Sequence, residues 1–116
     1  MSRELEKLQV ALRDFARERN WEQFHSPKNL ASALSVEASE LLEHFQWLTE
    51  EQSRSLGATR KAAVGEEMGD VLLYLLQLAD KLDIDLIASA QEKLRINAVK
   101  YPVDRARGRA DKYTEL

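Results

Sequence analysis

The chain has 116 residues, 44% hydrophobic and 32% charged, with a formal net charge of −3. That length suits a single domain over residues 1–116, and the balance is that of a folded globular chain rather than a disordered one. The acidic balance argues against a nucleic-acid polymer as partner, the lack of cysteine excludes disulfides and thiolate metal sites, and the longest apolar run, Val71 to Leu76, is far short of the ~20 residues of a membrane helix.

Met1-Ser2-Arg3-Glu4 runs directly into a charged amphipathic pattern without a leader signature, so the expected location is the cytoplasm. Residues 3–19 read as a first helix, with Leu5, Leu8, Leu12, Phe15 and Ala16 at spacings of three and four. It reads as a surface helix of a bundle. The loop from Asn20 to Asn29 carries Trp21, Phe24, His25 and Pro27. Pro27 disfavours helix at Ser26 and can start the next one with Ser26 as N-cap. By residue type alone, Phe24 is as well explained as a plug for the bundle end, and a lone His25 as structural.

The second helix is expected over residues 28–48, with Leu30, Leu34, Leu41, Phe45 and Leu48 in one stripe. Glu37 falls inside that stripe, where an unpaired ionised carboxylate is costly. Glu40 flanks it, and Trp47 lies two turns further along the same edge. Thr49 to Thr59 is a connection with a capping box, Thr49 to Gln52. Residues 60–82 form a third helix whose apolar face, including Val64, Met68, Leu72, Leu75 and Leu82, is too broad for a lone short bundle to cover. Glu67, Asp70 and Tyr74 line one border of that face. Gly69 beside them suggests close approach of a neighbouring helix or ligand.

After a short turn with Asp85 as N-cap, a fourth helix over residues 86–101 carries Lys93, Asn97 and Lys100 on one face, followed by Tyr101 and Pro102. Such a face can bind phosphate or simply complement the helix dipole. The tail 103–116 is basic and irregular, with no helical period. It could wrap a neighbouring subunit, contact phosphates or move freely.

The chemistry lies in Glu37-x-x-Glu40 and Glu67-x-x-Asp70. Residues three apart share one helix face. Two such helices side by side gather four carboxylates, which need cations to neutralise them. Hard cations with oxygen ligands fit, above all Mg²⁺, with Mn²⁺ as a substitute. The pattern points to a metal-dependent enzyme acting on a phosphorylated substrate. The competing reading is a non-catalytic helical adaptor with an acidic surface, and the core register of Glu37 argues against it. No glycine-rich phosphate loop, dinucleotide fingerprint or His-Glu-x-x-His occurs, nor the Glu-x-x-His pairs of di-iron bundles.

Glu-x-x-Glu and Glu-x-x-Asp on consecutive helices resemble the MazG-like all-α nucleoside triphosphate pyrophosphatases. Trp21-Glu22-Gln23-Phe24-His25, Glu40 to Trp47, Gly69 to Leu75, Lys100-Tyr101-Pro102 and Arg109 to Thr114 are similar to the dCTP pyrophosphatase branch of that family. The resemblance implies an all-α bundle of about four main helices completed by homo-oligomerisation, as a tetramer built from two dimers with sites near subunit contacts. It implies Mg²⁺ on Glu37, Glu40, Glu67 and Asp70, and a base framed by Trp21, Trp47 and Tyr74 with His25 closing the pocket. Lys93, Asn97, Lys100 and Tyr101 would meet the triphosphate or a subunit contact. The implied reaction converts dCTP, or a modified dCTP, and water to dCMP and pyrophosphate, cleaning the nucleotide pool. Where animal members of the branch carry a histidine that helps read cytosine, this sequence has Leu12. A broader deoxynucleotide or dUTP preference is therefore the alternative within the superfamily, alongside phosphoribosyl-ATP.

Overall fold

The structure, a computed structural model, describes residues 1–116, and every regular element in it is helical. In chain order these are α1 (Arg3–Glu18), α2 (Pro27–Glu43), the one-turn α3 (Glu50–Ser53), α4 (Ala58–Leu82), α5 (Leu86–Lys100) and the short α6 (Val103–Ala106), with 3₁₀ turns at Glu22–Phe24 and Tyr113–Glu115. The four long helices expected from periodicity are all present. None is long and apolar enough to cross a membrane. The chain divides into two compact units, residues 2–84 and residues 85–116 with Met1.

In the larger unit α4 is the axis, and α2 and α1 both pack against it. The core is Ala16 of α1, Leu30 of α2, and Val64, Leu76 and Ala79 of α4. Leu30 and Leu76 are fully buried, each burial contributing roughly 1.5–3 kcal/mol. Two polar contacts fix α1 on α4. The buried Gln9 amide donates to the Leu76 carbonyl at 3.1 Å, which offsets the cost of removing it from water. Arg13 Nε donates to Asp80 Oδ2 at 2.7 Å, and the guanidinium holds the Asp80 carboxyl below its usual range.

The caps follow the sequence. Ser26 accepts from the Asn29 amide with Pro27 in the first turn of α2, and Thr49 and Gln52 complete the expected capping box. α1 and α4 stop on residues in the left-handed region, Asn20 (φ 54°) and Asp83 (φ 53°). In each case the next amide reaches back to a carbonyl five residues earlier, Trp21 to Ala16 and Ile84 to Ala79, both at 2.9 Å, the bond that closes a Schellman motif.

Three expectations are corrected. α2 ends at Glu43, not at residue 48. The chain tightens there into i→i+3 turns, such as Phe45 N to Leu42 O at 2.9 Å. Arg60 Nη1 donates to the His44 carbonyl at 3.2 Å, taking an acceptor that a longer helix would use. No other helix of this chain closes on Gly69, since a Cβ there would meet nothing within 4 Å. The tail, finally, is not wholly irregular: it holds α6 and a 3₁₀ turn.

In the smaller unit, Asp85 caps α5 by accepting from the Ala88 amide at 3.1 Å. The tail folds back on the end of α5. The Tyr113 ring lies 4.8 Å from Lys100 Nζ and edge-on to Tyr101 at 6.2 Å. Arg109 Nε donates to Asp111 at 2.6 Å.

Candidate functional site

Packing of α2 against α4 brings Glu37, Glu67 and Asp70 together, each offering one carboxylate oxygen within 4.8 Å of the others. Glu37 and Glu67 are half-buried and Asp70 is exposed. No arginine, lysine or histidine forms an ion pair with any of them. Oε2 of Glu37 and Oε2 of Glu67 are buried without a hydrogen-bond partner. Glu40, one turn beyond Glu37 on α2, is not among these three but adjoins Glu37. The Glu37 carboxyl is pushed up to about 7, first by the adjoining Glu40 carboxyl, with which it can share a proton, then by burial, the Glu40 charge, the adjoining Glu67 carboxyl and the Asp70 charge. A carboxyl surrounded by carboxyls resists ionising.

This donor set fits a divalent cation. Two orphaned, buried carboxylate oxygens are costly as they stand, and clustered hard oxygens without a basic partner are what such ions bind.

A cavity of about 400 Å³ opens beside the cluster, with Asp70 in its lining. Its walls come from α1, α4 and the loop between α1 and α2. Trp21, His25 and Tyr74, named from sequence, all line it, together with Phe15 and Leu12. The loop geometry explains the placement of Trp21. With Asn20 left-handed and the Trp21 amide tied to Ala16, the indole meets the Phe15 ring edge-on at 5.7 Å. Arg19 lies 3.6 Å from the centroid of the same Phe15 ring. Asn29 Nδ2 donates to the Phe24 carbonyl at 2.9 Å and ties the loop to the start of α2. The volume is in the range of small-molecule sites, and its aromatic walls suit a flat ring.

Trp47 falls beyond the end of α2, 87% exposed, and does not line the cavity. Phe24, left open between plug and contact, is exposed and does not line it either. Lys93, Asn97, Lys100 and Tyr101 belong to the smaller unit, on α5 and at its end. Five lining residues carried no site signal of their own in the sequence: Leu8, Ala11, Phe15, Leu73 and Gln77. Phe15 looked like ordinary packing of a surface helix. Gln77 extends the face of Asp70 and Tyr74 by one more turn, and that spacing is the signal that could have found it.

A model of the MazG-like family matches residues 32–116. Human dCTP pyrophosphatase 1 is 44% identical over 114 residues, covering 97% of this chain and 67% of the human protein. The bovine dCTP pyrophosphatase 1 is 42% identical over 97% of this chain and 68% of its own length. The crystal structure of a pyrophosphatase from Archaeoglobus fulgidus superposes with a TM-score of 0.81 at 41% identity, covering 88% of this chain and 95% of that one.

Proposed function

The chain belongs to the MazG-like family, and from that premise we propose that it hydrolyses dCTP, or a modified dCTP, to dCMP and pyrophosphate. The observation that carries the reading is a carboxylate cluster without basic side-chain partners, opening onto an aromatic cavity. One end suits a metal–phosphate group and the other a base. Glu37, Glu67 and Asp70, with Glu40 behind them, would hold the metal, which we take to be Mg²⁺ with Mn²⁺ as substitute. When bound, it supplies charge neutralisation along the triphosphate and acidifies water.

The chain's own residues do the rest. Trp21 and Tyr74 hold the base, with His25 closing the loop side, and aromatic faces of this kind give roughly 1–3 kcal/mol per stacked base. Glu37 or Glu40 takes the proton of the attacking water. Trp47, Lys93, Asn97, Lys100 and Tyr101 are proposed to meet base, triphosphate or a subunit contact in the assembled enzyme.

The assembly is proposed as a homotetramer, a dimer of dimers, acting on the cytoplasmic nucleotide pool. The exposed apolar stripe of Met68, Leu72, Leu75 and Leu82 on α4 supports oligomerisation. Because the family match runs through both compact units, residues 1–116 are read as one functional domain.

A panel of ribo- and deoxyribonucleoside triphosphates with Mg²⁺ tests the proposal, with monophosphate and pyrophosphate both read out. Release of dCMP and pyrophosphate in equal amounts, fastest for dCTP, is expected. Absence of turnover on the whole panel would refute it.

A further inference from the structure

Gln77 has no place yet in the site. Among the residues lining the cavity, nearly all the side chains are apolar or aromatic, and the polar exceptions are His25, Asp70 and Gln77. Asp70 belongs to the carboxylate cluster and His25 is carried by the loop. Gln77 stands on the rigid α4, seven residues after Asp70. Seven residues are two helical turns, a rise of about 10 Å along the same face, with Tyr74 between them. A nucleotide with its phosphates at Asp70 and its ring on Tyr74 would turn its base edge toward Gln77.

The amide is also oriented. Gln77 Nε2 donates to the Leu73 carbonyl at 3.3 Å, within its own helix. That bond uses one N–H and fixes which end of the amide is which. It leaves Oε1 as an acceptor and the second N–H as a donor. The amino group of cytosine is a donor and its ring N3 an acceptor, so its edge matches. The corresponding oxygen of uracil or thymine is an acceptor. It would face Oε1 unless the amide turned over and lost its bond to Leu73.

We propose that Gln77 is a specificity-determining residue, which selects an amino-pyrimidine over an oxo-pyrimidine through its backbone-anchored side-chain oxygen. This rests on the nucleotide reading above and names the feature of the base that the cavity selects. Leu12, on the opposing α1 wall, offers only apolar contact, so of the two helix walls α4 is the one that carries discrimination.

The test is metal-free calorimetric binding of dCMP and dUMP to the full chain, alongside kcat/KM for dCTP and dUTP with Mg²⁺. It compares wild type, Gln77→Leu and Gln77→Glu. The wild type is expected to prefer the cytosine ligand in both assays. Gln77→Leu should reduce that preference about tenfold, roughly the effect of one buried hydrogen bond, and through KM rather than kcat. Gln77→Glu keeps an acceptor at the same place and should keep the preference for cytosine. Wild-type binding without a cytosine preference, or a preference in Gln77→Leu within about twofold of wild type, would overturn the role of Gln77 while leaving the nucleotide reading standing. Failure of wild type to bind either monophosphate and to turn over either triphosphate would instead overturn the nucleotide reading, and this proposal with it.

Discussion

Glu37 is the residue under most tension. Its neighbours Glu40, Glu67 and Asp70 are all acidic, and its carboxyl is held up at about 7 against an ordinary 4.5. A carboxyl whose folded value is raised binds its proton more tightly in the folded chain. Its contribution to stability is present below about pH 4.5 and is lost as pH rises through about 7. Metal-free protein should therefore lose Tm between about pH 5 and pH 8 relative to Glu37→Gln. Adding Mg²⁺ should close that gap, because cation and proton compete for the same oxygens. Parallel Tm curves for the two proteins without metal would mean that the cluster does not strain the fold. Two further substitutions test the proposed metal end and the proposed base end separately. Asp70→Ala should cut pyrophosphate release by more than about 100-fold with the circular dichroism spectrum retained. Trp21→Ala should raise KM by about tenfold and leave the dependence on Mg²⁺ concentration as it was. An unchanged KM would take Trp21 out of the base pocket.

At the scale of elements, α1 is held on α4 by few contacts, and the cavity lies between those two helices. Arg13→Ala removes the ion pair to Asp80. Arg13 is half exposed, so the expected loss is about 1 kcal/mol, measured by urea denaturation. A weakened α1–α4 contact should also raise KM, since Phe15 and Leu12 ride on α1. Much at this scale was legible in the sequence. The four long helices, the Ser26 and Asp85 caps and the Thr49–Gln52 box are local features, determined by residues within one turn of each other. The i, i+3 spacing of Glu37 and Glu40, and of Glu67 and Asp70, was legible for the same reason, whereas the packing that brings Glu37 to Glu67 and Asp70 is tertiary. What stayed hidden depends on tertiary partners. The early end of α2 involves Arg60, sixteen residues away from His44. Phe15 and Gln77 enter the site only because α1 folds over α4. The open space at Gly69 depends on which surfaces this chain leaves uncovered.

On the whole-molecule scale, the single chain leaves a large apolar surface. Met68, Leu72 and Leu75 sit at spacings of four and three on α4 and stay exposed, as do Leu94 and Val99 on α5. A stable soluble protein seldom leaves such a stripe bare. Sedimentation velocity should show wild type as an oligomer at micromolar concentration. A Met68→Glu, Leu72→Glu double variant should shift it to smaller species, because burying unpaired charge at an interface is costly. A wild type that sediments as a monomer would remove the proposed assembly, and with it the proposed place for Trp47.

All of this depends on the α2–α4 carboxylates being a cation site. The most direct measurement is calorimetric titration of Mn²⁺ or Mg²⁺ into wild type and into Glu67→Gln at neutral pH, without nucleotide. Saturable binding in the wild type, accompanied by a rise in Tm and much weakened in the variant, is the expected result. Equal, weak and unsaturable heats from the two proteins, with no shift in Tm, would contradict it.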